Sequence, residues 1–357
     1  MRFIHIADMH FDAPFSSLAE IKNLGNVRRL EQRNVFKKVI NYIKENEIKY
    51  LFISGDLYEN EYTKKSTIIY INDLFKEIPD TKIFISPGNH DPYLKDSYYA
   101  TFEFSKNVYI FKENFEKIET EDFNIYGIGF TDFYNKGVDF SDCILSDNGK
   151  KNILVMHAAM DSGTEIDKEY NPISKTLLKR LGFDYVALGH IHKASYNEEE
   201  NQNIIYPGSL ISLGFDELGE HGMIEGNFEN NSLKVDFIKL DDREFVELQK
   251  NVQVFNSQED LIENINEMNL NENFLYKIIL MGKRNFDIDS REVLKLISKE
   301  NILKVKDLTE LDYDLEEISK ENTLRGIFVK EALEKMEIGE FSKEEIEKAI
   351  EIGLKAL

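Results

Sequence analysis

Five groups of aspartate, asparagine and histidine punctuate the first 192 residues: Asp8-Met9-His10, Asp56, Asn89-His90-Asp91, His157 and His190-Ile191-His192. Carboxylate, amide and imidazole donors with no thiolate among them are the ligand chemistry of Mn2+, with Fe, Zn or Mg as alternatives. Asp56 ends the oily run Leu51-Phe52-Ile53-Ser54-Gly55. A carboxylate delivered into a protein interior needs a partner charge or a cation, because an isolated buried charge is costly. Asp8 and His10 alternate on an extended chain and so share one side. The amide oxygen of Asn89 is a neutral ligand, whereas the adjacent His90 points elsewhere and is free for proton chemistry. Asp91 either orients His90 or caps the turn. Gly189 lets the backbone turn close to the same centre, toward which His190 and His192 lean.

The elements that must position these groups are legible as apolar runs. Stretches 3–7, 51–54, 82–86, 153–156 and 185–188 read as buried strands, each ending on one of the groups. Between the first two, Val27, Leu30, Val35, Val39, Ile40 and Ile43 recur at helical spacing, which predicts a strand–helix–strand unit. A second helix is expected over 67–76, a turn at Pro87-Gly88, short strands at 109–112 and 123–128, and a helix over 177–181. The 123–128 strand is expected to open a second sheet. A hairpin of 223–228 and 233–238, closed by Asn230-Asn231, is expected to finish it. His5 lies inside the first strand and reads as a packed, hydrogen-bonded core histidine; His221, in a glycine-rich turn, is assigned no metal. Arg28, Arg29, Arg33, Lys37 and Lys38 crowd the first helix. A solvated face explains such a run most simply, and phosphate contact is the sharper alternative.

Composition bounds the rest. A chain of 357 residues with 42% apolar content supports two domains and a sizeable core. Neither a long apolar span nor a basic leader with an apolar core is present, so the expected address is cytoplasmic, without a membrane. The one cysteine, Cys143, fits a reducing compartment. The net charge of −22 excludes a protein coated in basic surface, so any grip on nucleic acid is local or supplied by a partner. Residues 241–357 carry 28 acidic and 17 basic side chains, half of that net charge in a third of the chain, which marks a second domain.

Taken together, Asp8-Met9-His10, Gly55-Asp56, Gly88-Asn89-His90-Asp91, His157 and Gly189-His190-Ile191-His192 resemble the five motifs of the calcineurin-like metallophosphoesterases. The likeness spans about residues 1–240. Within that superfamily, stretch 5–15 and Tyr206-Pro207-Gly208-Ser209 resemble the SbcD and YhaO type of bacterial DNA repair exonucleases. The resemblance implies a four-layer α/β fold over 1–240, two stacked mixed sheets flanked by helices, with a smaller C-terminal α+β domain over 241–357 that caps the site and binds partners. It implies that Asp8, His10, Asp56 and His192 hold one divalent ion and Asp56, Asn89, His157 and His190 a second, with Asp56 bridging. Glu59 departs from the aspartate this branch often has after Gly-Asp, at a position beside the ligands. Two such ions, about 3.5–4 Å apart, clamp a phosphodiester and activate a bridging water, and His90 is then placed to protonate the leaving oxygen.

The expectation is a two-metal phosphodiesterase, foremost a DNA repair exonuclease or endonuclease subunit. A small-molecule phosphodiesterase or phosphatase is the rival enzyme, since fold and metals alone do not choose a substrate. An inert scaffold for an ATPase is the rival of a different class. Expected partners are DNA, held through Arg28, Arg29 and Arg33, and an SMC-type coiled-coil ATPase (SbcC-like) on the terminal helices, with a homodimer left open. There Ile346, Ala349, Ile350 and Leu354 form an apolar stripe after a Ser342–Glu345 capping box; such a stripe usually faces a core, and a partner face is the sharper alternative.

Overall fold

The structure is a computed structural model that describes residues 1–14, 24–141, 143–161, 170–196, 202–312 and 314–356. Phe15, the last residue of the N-terminal motif, lies outside them. The chain divides into two compact units, 1–245 and 246–357.

In chain order the first unit contains β1 (Arg2–Ile6), α1 (Leu24–Glu45), β2 (Tyr50–Ile53), α2 (Lys65–Lys76), β3 (Lys82–Ile85), α3 (Tyr98–Thr101) and β4 (Val108–Ile110). There follow β5 (Glu116–Glu119), β6 (Phe123–Ile128), β7 (Lys151–His157), α4 (Lys175–Leu181), β8 (Tyr185–Gly189), β9 (Ile204–Ile205), β10 (Gly222–Glu229) and β11 (Ser232–Lys239). Two mixed sheets result, ordered β11-β10-β1-β2-β3-β4 and β5-β6-β7-β8-β9. Strands β1 to β4 run parallel, as do β6 to β9, so their C-terminal ends, with the ligand groups, emerge on one edge of each sheet.

An aromatic layer joins the two sheets. Phe3, Tyr50, Phe52 and Phe84 from the first meet Phe123, Ile153, Val155, Tyr185 and Ala187 from the second. Phe3 lies 4.7 Å from Tyr185 and Tyr50 4.7 Å from Phe123, ring centroid to centroid, at tilted angles that such rings prefer. Outside the first sheet, α1 buries Val35, Phe36, Val39, Ile40 and Ile43, and α2 buries Ile68, Ile71 and Phe75. On the far side, Leu178 of α4 packs with Leu154, Met156, Val186 and Leu188.

One expectation needs correction. The β10–β11 hairpin does turn on Asn230 and Asn231, both at positive φ as a two-residue loop requires, but it joins the first sheet. There β10 pairs antiparallel with β1, Ile4 opposite Glu225. Ile224 and Phe228 still enter the layer between the sheets, so alternation in the sequence reports that shared core and not the sheet that supplies the hydrogen bonds.

The second unit, treated by itself, begins within β12 (Phe245–Asn251) and continues through α5 (Gln258–Glu267), β13 (Leu275–Met281), β14 (Lys283–Arg284), α6 (Ser290–Leu296), β15 (Ile302–Asp307) and β16 (Glu310–Leu311). Its main sheet, β12-β13-β15, covers Leu261, Ile265 and Val293 of the two helices. Helices α7 (Leu315–Ile318), α8 (Leu324–Glu337) and α9 (Lys343–Ala356) share a smaller core of Ile318, Val329, Ile346 and Ile350. The capping box before α9 forms, with Ser342 N–H donating to Glu345 Oε2 (2.9 Å) and Glu345 N–H to Ser342 Oγ (3.3 Å). Among the described residues no helix is long and apolar enough to cross a membrane.

Candidate metal centre

The loops that follow β1 and β2 are laced together by their backbones. Asp8 N–H donates to Gly55 O (3.1 Å), His10 N–H to Asp56 O (2.8 Å) and Phe11 N–H to Leu57 O (3.0 Å). Asp8, His10, Asp56 and His190 all hold positive φ, a conformation that costs a non-glycine residue energy and persists only where the surroundings enforce it. Two glycines allow the close approach. Gly55, at φ +87°, passes against the His157 ring, and a Cβ on Gly88 would overlap the Asp56 carboxylate.

Side chains from five strand ends converge within these loops. The Nε2 atoms of His10 and His192 face each other at 3.0 Å. His157 Nε2 lies 3.0 Å from Asn89 Oδ1 and 3.3 Å from Asp56 Oδ2, which is 3.7 Å from His10 Nε2. Asp56 Oδ1 accepts the His90 N–H (2.8 Å), and Asp8 accepts the His190 N–H at both oxygens. Three overlapping groups have donor atoms within 4.8 Å of one another: Asp8 with His10 and His192, His10 with Asp56 and His90, and Asp8 with Asp56 and His157. The His190 ring belongs to none of them and stands 5.3 Å, centroid to centroid, from the His157 ring.

The far side of each central imidazole is held by an acceptor. His10 Nδ1–H donates to Glu59 Oε1 (2.7 Å), His192 Nδ1–H to Glu217 Oε1 (2.6 Å) and His157 Nδ1–H to Ser54 O (2.9 Å). A carboxylate or carbonyl can only accept, so Nδ1 carries a proton and Nε2 is the nitrogen turned into the cluster, where it would bind a cation. Three inward Nε2 atoms beside two buried carboxylates and an amide oxygen fit divalent cations. Burial resists charge on His157, yet Asp56 and Asp8 outweigh it and raise the imidazole to about 9 in the protein without a cation. Burial likewise disfavours the Asp56 carboxylate, but His157 and His10 hold it well below the usual range.

His90 is the exposed member. Its side chain is 45% accessible, its ring stands edge-on to His10 at 4.7 Å, and its Nδ1 donates to Glu59 Oε2 (3.0 Å). Asp91 does not orient it; of the two roles left open for this carboxylate, the structure fits the one that holds the turn. The Asp91 carboxylate is fully buried and accepts N–H groups from Gly88, Asp56 and Leu57 together with the Tyr99 hydroxyl, so it fastens the loop that carries Asp56. Glu217 has no local signature. It lies in the glycine-rich turn near His221, and only its long-range contact with His192 reveals it.

The three arginines part company. Arg28 is wholly buried, with Nη2 donating to Asp241 Oδ2 (2.8 Å) and Ser212 O (2.7 Å). It offers no surface to a phosphate, and that expectation is corrected. With Arg243 on Glu31 it ties residues 241–243 to α1 and so to the first unit. Arg29 and Arg33 stay partly exposed; Arg33 pairs with Asp12 (3.3 Å). His5 is enclosed between Tyr185 OH (2.9 Å) and Ser54 Oγ (3.0 Å), and His221 between Ser209 and Glu217 O.

Residues 1–194 match the family profile described as calcineurin-like phosphoesterase. An uncharacterized metallophosphoesterase of Bacillus subtilis, YhaO, is 23% identical over 252 residues, a match that covers 68% of this chain and 61% of the relative. Among solved structures, TT1561 of Thermus thermophilus aligns at 10% identity and a TM-score of 0.39 over 66% of this chain and 98% of that one. The purple acid phosphatase PPD1 of yellow lupin aligns at 13% identity and a TM-score of 0.40 over 68% and 52%.

Proposed function

This chain belongs to the calcineurin-like phosphoesterase family, whose members hydrolyse phosphoesters with two divalent metals, and on that premise we propose that it cleaves DNA phosphodiester bonds as a repair exonuclease or endonuclease subunit. Asp8, His10, Asp56, Asn89, His157, His190 and His192 would hold the ions. When bound, two divalent cations supply the positive charge that polarises the phosphoryl group and acidifies the attacking water.

The chain's own residues supply the rest. His90 is the observation that carries the hydrolytic reading: an imidazole exposed at the mouth, fixed at Nδ1, with buried donors behind it. It gives a proton to the departing oxygen, a role that contributes roughly 100- to 10,000-fold. Support for DNA comes from Tyr206-Pro207-Gly208-Ser209, the turn that resembles the repair nucleases. That turn buttresses the site, with Ser209 N–H donating to His192 O (2.9 Å) and its hydroxyl to Glu217 Oε2 (3.0 Å). An SMC-type ATPase as partner belongs to the same reading, supported by the exposed Leu324, Ile327 and Phe341 of the terminal helices and their connection.

A small phosphodiester is the second reading, favoured by the burial of Arg28 and the net charge of −22. The deciding experiment incubates the protein with Mn2+ and end-labelled single- and double-stranded DNA, alongside bis(p-nitrophenyl) phosphate. Metal-dependent cleavage of DNA is expected. Turnover of the small ester with intact DNA would select the second reading.

A further inference from the structure

We propose that Glu59 is a shared positioning residue, whose single carboxylate holds the imidazoles of His10 and His90 through separate oxygens and so seats a metal ligand and the proton donor together. This inference rests on the roles given above to those two histidines. Oε1 receives the His10 Nδ1–H at 2.7 Å and Oε2 the His90 Nδ1–H at 3.0 Å. The two rings stand at 83° to each other, 4.7 Å apart, so neither stacks flat on the other, and the bridging carboxylate fixes their mutual angle.

The backbone anchors the bridge at both ends. Glu59 N–H donates to Phe11 O (3.1 Å), beside His10, and Asn60 N–H donates to His90 O (2.9 Å). The loop that carries Glu59 is therefore hydrogen-bonded to both segments that its side chain serves. Chain length matters here: the aspartate expected at this position would draw the carboxylate back by one methylene and leave one ring out of reach. Glu217 is the internal contrast. One of its oxygens meets His192, whereas the other accepts the Leu213 N–H and the Ser209 hydroxyl, so it serves one imidazole only.

The test compares Glu59→Ala, Glu59→Gln and Glu217→Ala with the wild type. In metal-free protein with 15N-labelled histidine, hydrogen-bonded Nδ1–H signals of His10, His90 and His192 are expected. Glu59→Ala loses the first two and Glu217→Ala only the third. Glu59→Gln, which keeps the shape, can accept through one oxygen alone and loses one of the two. In calorimetric titration with Mn2+, both alanine variants need about 10- to 100-fold more metal. Only Glu59→Ala, like loss of His90, also makes hydrolysis more sensitive to a poor leaving group. Glu59→Gln retaining both signals, or Glu59→Ala matching Glu217→Ala in leaving-group dependence, would overturn the proposal. Should the wild type hydrolyse no phosphodiester, the proposed function fails, and the signals and the titration still decide the role of Glu59.

Discussion

The Nε2 atoms of His10 and His192, 182 residues apart in sequence, face each other at 3.0 Å. With both Nδ1 protons given to carboxylates, the two Nε2 atoms turn toward each other in the cluster, where a bound cation would take a lone pair from each. Metal should therefore stabilise the fold. A ligand at 100 times its Kd contributes about 2.7 kcal/mol, so the thermal midpoint is expected to rise with Mn2+ and fall with a chelator. An unchanged midpoint in His192→Ala, beside a shift in the wild type, would place the binding at this pair.

Asp56 is common to two of the three donor groups, and its other oxygen already accepts the His90 N–H. Asp56→Asn removes a negative charge from between the expected ions, and metal content measured on folded protein should fall below that of the wild type. Equal content would refute the bridging role.

His90→Ala is expected to retain its metals and lose roughly 100- to 10,000-fold in turnover, because the ring is exposed and acts at the rim. If the ions leave with it, His90 is a ligand, as its grouping with His10 and Asp56 would then require.

Arg28 and its neighbours should behave differently. Breaking a buried ion pair costs about 3–5 kcal/mol, so Arg28→Ala should lower the urea midpoint sharply, through the Asp241 carboxylate left behind. Replacing Arg29 and Arg33 together should spare stability. If they contact phosphates, each loss flattens the log-log salt dependence of DNA binding by roughly 0.7 to 0.9.

Burial lowers the His5 imidazole to about 3. Between that value and its usual 6.5 the unfolded chain binds a proton that the folded one refuses, so His5 contributes stability above pH 6.5 that declines as pH falls toward 3. The slope approaches about 1.4 kcal/mol per pH unit. Urea midpoints at pH 7.5 and 5 should differ less in His5→Gln than in the wild type; an equal difference would assign the acid sensitivity elsewhere.

By itself the sequence determined the strands that end on polar groups, the α1 stripe from Val35 to Ile43 though not its expected member Leu30, which is exposed, the Asn230-Asn231 turn and the capping box at Ser342. Each is a local pattern, set by side-chain periodicity or by backbone geometry within a few residues, and short-range chemistry is enough to specify it. Tertiary structure decided what depends on partners far along the chain. Alternation showed that Ile224 and Phe228 face a core, but not that β10 pairs with β1. Arg28 sits in a run that reads as a solvated face, and only Asp241, 213 residues on, draws it inside. Asp91 lies beside His90 yet spends its oxygens on backbone N–H groups and Tyr99, and it is Glu59 that reaches the ring. Burial and hydrogen-bond satisfaction are settled by whichever groups the packed sheets bring within about 3 Å, and nearness in sequence does not report that.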